Sequence, residues 1–114
     1  MIDQVRPADL AAWFAQDPAA IPVLLDVREP WELQTASVTP QGFTLLAIPM
    51  NEIPGRLAEL AKLGEDHRIA CLCHHGARSQ RVAAFLNQNG FAELANVAGG
   101  IDAWSSHDPT VPRY

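Results

Sequence analysis

Apolar residues recur along the chain at two spacings, one typical of surface helices and one typical of buried strands. Residues 10–14 place Leu, Trp and Phe on one face of a helix, and Asp17-Pro18 ends it. The short apolar runs at 22–27 and 68–72 fit strands that are buried on both faces of a sheet. The pattern therefore predicts both element types, interleaved along the chain.

The segments between these runs complete the predicted order of elements. Residues 47–49 and 95–97 are short strand candidates, whereas 35–46 lacks periodicity and is predicted to be a loop. The other predictions are a helical turn at 29–33, a helix capped by Asn51 and stopped by Gly64, a helix that Ser79 opens and Asn89-Gly90 closes, and a short helix at 99–104. Strands separated by helices imply right-handed crossovers, so the predicted class is α/β, with a mainly parallel sheet covered by helices on both faces.

Length and composition fit one self-sufficient domain. The chain has 114 residues, 48% of them apolar, and shows no repeat or linker, so we expect a single domain over 1–114 with its core at about 5–105. Such a core needs neither a metal nor a disulfide staple. The two cysteines, Cys71 and Cys73, are therefore candidates for free thiols in a reducing compartment.

Charge and the amino-terminal pattern narrow the partners. The net charge is −5 with no run of like charges, which argues against a nucleic-acid partner and against an anionic membrane surface. The first residues lack the basic and apolar regions of a secretory signal, and the longest apolar runs are too short to span a bilayer. We therefore expect a cytoplasmic protein without a membrane or nucleic-acid partner.

Cys73 directly follows a predicted buried strand, which places it at the edge where open parallel sheets bind ligands. The six residues from Cys73 to Arg78 then turn into a helix. Gly76 permits a positive φ, so successive backbone N–H groups and those of the helix N-terminus can converge on one point. With Arg78, His74 and His75 adding positive potential, the setting favours a thiolate. The pattern predicts a nucleophile in preference to a small buried core cysteine.

Around this loop the chain resembles the rhodanese (thiosulfate sulfurtransferase) family in its single-domain form. Residues 24–32, LLDVREPWE, are similar to the family's LLDVRxxxE segment, Ile48-Pro49 matches its IP-plus-helix segment, and residues 99–104, GGIDAW, are similar to its GGxxAW signature. The resemblance runs from about residue 5 to residue 105. It departs at 36–43, where the family's Gly-His-Ile-x-Gly-Ala is replaced by a longer stretch without histidine, so we expect a differently shaped loop there.

The resemblance implies a five-stranded parallel sheet with helices on both faces and an active Cys73 at the base of a shallow pocket. It implies a sulfurtransferase in which Cys73 takes the outer sulfur of thiosulfate or of another sulfane donor. The resulting Cys73 persulfide passes that sulfur to a thiol, cyanide or protein acceptor, and no cofactor is expected. Substrate-binding residues are expected throughout the loop: His74, His75, Gly76, Ala77, Arg78 and Ser79.

The residues also leave other functions and roles open. A non-catalytic persulfide carrier or interaction module would keep the same cysteine. A cysteine phosphatase or arsenate reductase is disfavoured, because Cys-x4-Arg is one residue shorter than the Cys-x5-Arg loop of such phosphatases. Asp26 and Arg28, at the end of the neighbouring strand, are expected to brace the loop in preference to shaping the pocket. Arg78 either faces the substrate anion or turns inward.

The remaining candidates are assigned structural roles. Cys71 is predicted to be a core residue in preference to a redox partner of Cys73. Trp13, Trp31 and Trp104 are predicted to pack in the core or at the rim of the pocket. No metal site is expected, since Cys-x-Cys-His-His is cramped and no second ligand cluster accompanies it.

Overall fold

The computed structural model describes residues 2–62 and 67–114. Within these ranges the strands are β1 (Ile2–Val5), β2 (Ile21–Asp26), β3 (Thr44–Ala47), β4 (His67–Leu72) and β5 (Leu94–Val97). They form one sheet in the order β1–β5–β4–β2–β3, and every neighbouring pair is parallel. The carboxyl ends of the strands therefore meet at one edge of the sheet, and the predicted α/β class is confirmed.

Helices cross between the strands and cover both faces of the sheet. They are α1 (Leu10–Ala15), α2 (Pro30–Thr35), α3 (Leu57–Ala61), α4 (Ala77–Gln88) and α5 (Gly100–His107). Short 3-10 turns precede two of them, Pro7–Asp9 before α1 and Met50–Glu52 with Pro54–Arg56 before α3. Among the described residues no helix has the length and apolar character needed to cross a membrane.

Alternate residues of the central strands point into two apolar cores, one on each face of the sheet. On one face Leu24 of β2 packs with α1 and α5, which contribute Trp13 and Trp104. On the other face Cys71 of β4 packs with α4, which contributes Leu86. Because both faces are covered, β2 and β4 have near-continuous apolar sequences, and this is the signal that made them predictable.

Both edge strands differ from the sequence-based expectation. The prediction of a strand at 47–49 after a loop at 35–46 was wrong, because β3 begins within that supposed loop. Leu45 and Leu46 stand in register with Leu24 and Leu25 of β2, so the pairing extends the strand toward the amino terminus. Strand β1 was not predicted at all. Of its four residues only Val5 is buried, and pairing with β5 defines it.

The starts of two helices also differ. Asn51 lies within a 3-10 turn and caps no α-helix, because α3 begins later, with Arg56 as its N-cap. Gly64, which was predicted to stop that helix, lies outside the described residues. Helix α4 begins two residues before Ser79, with Gly76 as its N-cap. Ser79 is therefore inside the first turn, where its side chain faces the loop.

Candidate active site

Cys73 follows the last residue of β4 and precedes the first turn of α4. The residue is only 1% exposed. Its sulfur accepts a hydrogen bond from the backbone N–H of Gly76, with 3.0 Å between N and Sγ. The hydroxyl oxygen of Ser79 lies 3.3 Å from the same sulfur. Donors placed in this way stabilise negative charge on the sulfur or on an atom attached to it, as a nucleophile and its covalent intermediate require.

Gly76 gives the loop its turn toward the sulfur. Its φ is +106°, in the left-handed region that disfavours residues with a side chain. This conformation aims the Gly76 N–H back at Cys73 and starts α4 immediately after it, at Ala77. Ser79 lies in the first turn of α4 and is fully buried, and its hydroxyl is directed at the same sulfur.

The amino terminus of α5 holds the loop from its other side. The N–H of Ile101 donates to the carbonyl of Cys73 at 2.8 Å, and the N–H of Asp102 donates to the carbonyl of His74 at 3.0 Å. Gly100 makes this approach possible, since a Cβ there would lie 2.5 Å from each of those carbonyl oxygens. Its φ of +61° also favours glycine. The GGIDAW stretch thus fixes the position of the Cys73 backbone.

Arg78 is bound by a buried carboxylate. Both of its terminal nitrogens donate to Glu32 of α2, each with an N–O distance of 2.7 Å. Glu32 also accepts from the N–H of Glu29 at 2.9 Å and from the Tyr114 hydroxyl at 3.0 Å. These hydrogen bonds, chiefly those from Arg78, lower the pKa of Glu32 to about 2, and the same pairing raises the pKa of Arg78. Arg78 therefore adopts the inward orientation, toward a side chain of a neighbouring helix.

Asp26 and Arg28 form a buried ion pair at the carboxyl end of β2. Arg28 is 0% exposed, and its Nε and Nη2 donate to the two oxygens of Asp26 at 2.9 and 2.7 Å. Its remaining nitrogen, Nη1, donates to the backbone carbonyl of Glu32 at 3.3 Å and to the Tyr114 hydroxyl at 3.1 Å. The pair links β2 to α2 and, through Glu32, to the loop. This geometry fits the bracing role predicted for both residues.

The two loop histidines stack on each other and on the carboxy-terminal segment. The His74 ring lies 3.9 Å from the Tyr114 ring and 3.9 Å from the His75 ring, centroid to centroid, and its Nε2 lies 2.7 Å from the Tyr114 carbonyl oxygen. Potential ligand atoms of His74, His75 and Asp102 lie within 4.8 Å of one another. The His74 ring is held by stacking on both neighbours, and the expectation that the chain has no metal site stays a prediction.

A neutral hydrogen-bond network lies on the α4 and β5 side of the sulfur. The Ser79 hydroxyl is 2.5 Å from Oδ1 of Asn96, an amide that is only 4% exposed. Nδ2 of Asn96 donates to the carbonyl of Gly76 at 3.2 Å and to Oε1 of Gln4 at 3.0 Å. The Asn96 amide on β5 therefore contacts Ser79 and Gly76, the two residues that donate to the Cys73 sulfur, and it links them to Gln4 on β1.

Cys71 and the tryptophans are placed as follows. Burial raises the pKa of the Cys71 thiol to about 12, with a smaller effect of Cys73 in the same direction, so Cys71 stays protonated at neutral pH. Trp13 and Trp104 are core residues, as predicted. Trp31 is 64% exposed on α2, which excludes the core, so of its two predicted places only the rim of the pocket stays a prediction.

The segment at 36–43, where the chain departs from the family pattern, lies against α1 and α5. Its Val38 is buried, and its Phe43 ring lies 6.1 Å from the Phe14 ring and 6.4 Å from the Trp104 ring. These residues belong to the core on one face of the sheet, whereas Cys73 belongs to the core on the other. The altered stretch thus packs onto the side of the sheet opposite to the core that contains Cys73.

Three residues of this site were not predicted as site residues. Glu32 had a signal, since it is the acidic residue of the LLDVRxxxE segment. Asn96 had a weaker one, as an amide in the otherwise apolar strand β5. Tyr114 had none, because its contacts with Arg28 and His74 join residues 86 and 40 positions apart.

Comparison with known proteins agrees with this architecture. The sequence model of the family described as "Rhodanese-like domain" matches residues 6–107. A protein named "Adenylyltransferase and sulfurtransferase MOCS3-2" from Zea mays is 36% identical over 93 residues, which are 81% of this chain and 19% of that protein. A protein named "Sulfurtransferase" from Allochromatium vinosum is 35% identical over 85 residues, covering 75% of this chain and 73% of that one.

A solved structure shows the same likeness in three dimensions. A rhodanese-related protein from Thermoplasma volcanium superposes with a TM-score of 0.75 at 29% identity, over 98% of this chain and 99% of the other. This chain spans only about a fifth of the maize protein's length, and most of the Allochromatium protein's. Sequence and structure agree on one assignment: the chain belongs to the rhodanese-like domain family.

Proposed function

We propose that this protein is a sulfurtransferase that moves a sulfane sulfur to a thiophilic acceptor through a persulfide on Cys73. Relatives named as sulfurtransferases support the general class. The observation that carries the specific assignment is the pair of donors on the Cys73 sulfur, Gly76 N–H at 3.0 Å and the Ser79 hydroxyl at 3.3 Å. We infer that one domain, spanning residues 1–114, holds the whole site.

The proposed first step is attack of the Cys73 thiolate on the outer sulfur of thiosulfate. A new S–S bond forms to Cys73 while the S–S bond of thiosulfate breaks, and sulfite leaves with the electron pair. The terminal persulfide sulfur carries the negative charge, which the loop donors are placed to stabilise. An acceptor such as cyanide or a thiol then attacks that terminal sulfur. Cys73 leaves as a thiolate, so the cycle closes with no external oxidant, reductant or cofactor.

The loop from Cys73 to Arg78 supports sulfur over phosphorus as the transferred element, because Cys-x4-Arg is one residue shorter than the Cys-x5-Arg loop of cysteine phosphatases. Among the described residues, one backbone N–H, that of Gly76, and the Ser79 hydroxyl are placed to donate to the Cys73 sulfur. Arg78, the cation that a phosphoryl group would need, has both terminal nitrogens bound to Glu32. A phosphatase or arsenate reductase is therefore disfavoured for this chain.

The experiment follows a two-step sulfur transfer by intact-protein mass spectrometry. The purified protein is incubated with thiosulfate, and intact mass is expected to show one added sulfur; cyanide is then expected to remove it and yield thiocyanate. Cys73→Ser is the test variant and Cys71→Ser is the matched control, because the Cys71 thiol is buried on the preceding strand. An adduct that persists in Cys73→Ser, or no adduct on the wild type, would contradict the proposal.

A persulfide carrier that accepts sulfur from a protein donor is the second candidate. Two observations favour it over free thiosulfate as the donor. Cys73 is 1% exposed, so its sulfur is hard to reach. Glu32 neutralises the charge of Arg78, so this arginine contributes little to the attraction of a dianion such as thiosulfate. The same incubation separates the candidates. Rapid thiocyanate turnover supports the enzyme. A stable adduct that forms with an organic persulfide and barely turns over with thiosulfate supports the carrier.

A further inference from the structure

The Ser79 hydroxyl lies between two acceptors and can serve only one at a time. Its oxygen is 3.3 Å from Sγ of Cys73 and 2.5 Å from Oδ1 of Asn96. A third possible acceptor, the carbonyl oxygen of Gly76, lies 3.3 Å from the hydroxyl oxygen. It already accepts from the N–H of Gln80 and from Nδ2 of Asn96. A hydroxyl has a single proton to donate. The Ser79 proton is therefore shared between the sulfur and the Asn96 oxygen.

The orientation of the Asn96 amide is fixed by its other neighbours. Gly76 presents a backbone carbonyl, which can only accept, so the amide atom 3.2 Å from it must be the nitrogen. The oxygen then necessarily faces Ser79. Asn96 is only 4% exposed, so solvent has little access to that oxygen if the hydroxyl turns away. An unmet acceptor at this depth is costly.

We propose that Asn96 is a positioning residue that sets the reactivity of Cys73 by competing with its sulfur for the Ser79 proton. In the thiol form Ser79 donates to Asn96, and its oxygen can accept the S–H of Cys73. In the thiolate form the hydroxyl rotates to donate to the sulfur, and Oδ1 of Asn96 loses its donor. Asn96 thereby holds the anionic form less stable than the loop alone would make it. The idea rests on the proposed function only in taking the thiolate as the reacting form.

The direction of the effect follows from this competition. Asn96→Ala removes the acceptor that lies closest to the Ser79 hydroxyl, so the hydroxyl donates to the sulfur more often and the thiolate forms at lower pH. The Gly76 carbonyl remains as a competing acceptor at 3.3 Å, already occupied by the N–H of Gln80. We expect Asn96→Ala to speed alkylation of Cys73 by iodoacetamide at pH 7 by about 3- to 10-fold, the net effect of one ordinary hydrogen bond, because the substitution redirects a shared proton and adds no new donor. The pH at which the rate is half-maximal should fall. A change in access to the buried sulfur would alter the rate without moving that midpoint.

The double variant tests the route through Ser79. In a Ser79→Ala background the Asn96→Ala substitution should leave the midpoint where Ser79→Ala alone put it. Gln4→Ala is the matched control, because it removes an Asn96 partner in β1 but keeps Oδ1 against Ser79, and its midpoint should equal that of the wild type. The other titratable groups around the sulfur are the same in every variant: Cys71, His74, His75, Arg78 with Glu32, Asp26 with Arg28, and Asp102.

Alkylation of Cys73 requires no sulfurtransferase activity, so the outcome of this test is independent of whether the proposed function is correct. If Asn96→Ala fails to fold, Asn96→Asp keeps an acceptor oxygen against Ser79, and its alkylation should be no faster than that of the wild type. A faster Asn96→Asp, an unmoved midpoint in Asn96→Ala, or the same shift with and without Ser79 would each overturn the proposal.

Discussion

The loop that carries Cys73 is held on two sides by opposite kinds of chemistry. On the α2 side the contacts are between full charges, with Arg78 on Glu32 and Arg28 on Asp26. On the β5 side they are between neutral dipoles, and only this side puts hydrogen-bond donors on the sulfur among the described residues. The two acids and two bases of the charged side cancel. We infer that the charged pairs, together with the backbone N–H groups of α5, fix where the loop lies, whereas the neutral groups around the sulfur set how it reacts.

The largest effect that tests this division is expected from breaking the Asp26–Arg28 pair. Arg28→Met leaves Asp26 as an uncompensated carboxylate at 1% exposure, and we expect a loss of about 3–5 kcal/mol in the free energy of unfolding. Urea denaturation followed by circular dichroism measures it. The double variant Asp26→Leu/Arg28→Met should recover most of the loss, because neither charge of this pair is then left buried without its partner. A single variant within about 1 kcal/mol of the wild type would contradict a bracing role.

The next effect concerns Glu32 and has a definite pH dependence. Its pKa in the fold is about 2, below the ordinary 4.5, so its stabilisation is complete above 4.5 and is lost as the pH falls toward 2. We expect Glu32→Gln to cost about 2 kcal/mol at pH 7, and the difference from the wild type to shrink between those two values. Urea denaturation at a series of pH values measures it.

Glu59→Gln is the matched control for that experiment. Glu59 also binds an arginine, Arg56, but on the exposed surface of the molecule, where such pairs contribute little. Its substitution should produce a much smaller change at pH 7, where the Glu32 stabilisation is complete. Equal losses from the two variants would mean that the buried position of Glu32 adds nothing.

A smaller change in stability, with a larger one in reactivity, is expected on the neutral side. Ser79→Ala removes one donor from the sulfur and should cost about 1 kcal/mol of stability, while alkylation of Cys73 at neutral pH slows about 10-fold. Stopped reactions are digested, and fragmentation of the alkylated peptide by tandem mass spectrometry assigns the label to Cys73 or to Cys71, which share one peptide. Reactivity equal to that of the wild type would show that the Gly76 N–H alone supports the sulfur.

The extent to which the sequence predicted this site depends on how local each signal is. Cys73 and its loop could be predicted because an apolar run, a glycine and a helix start lie within a few consecutive residues. Strands β2 and β4 were predictable since they are buried on both faces. Edge strand β1 was not, because pairing with β5, about 90 residues away, is what forms it. The residues that hold the loop, Glu32 and Asn96, come from other elements and meet it only in the folded chain.

The smallest effect is expected at the point where the carboxy-terminal segment meets the charged side. The Tyr114 hydroxyl accepts from Nη1 of Arg28 at 3.1 Å and donates to Glu32 at 3.0 Å, while its ring stacks on His74. Tyr114→Phe removes only the hydroxyl bridge, and we expect a loss of about 0.5–1.5 kcal/mol with the Cys73 midpoint unmoved. Tyr114→Ala also removes the ring and should cost more. A Tyr114→Phe variant whose alkylation midpoint shifts as far as that of Ser79→Ala would mean that the charged side reaches the sulfur after all, and that position and reactivity are not divided between the two sides.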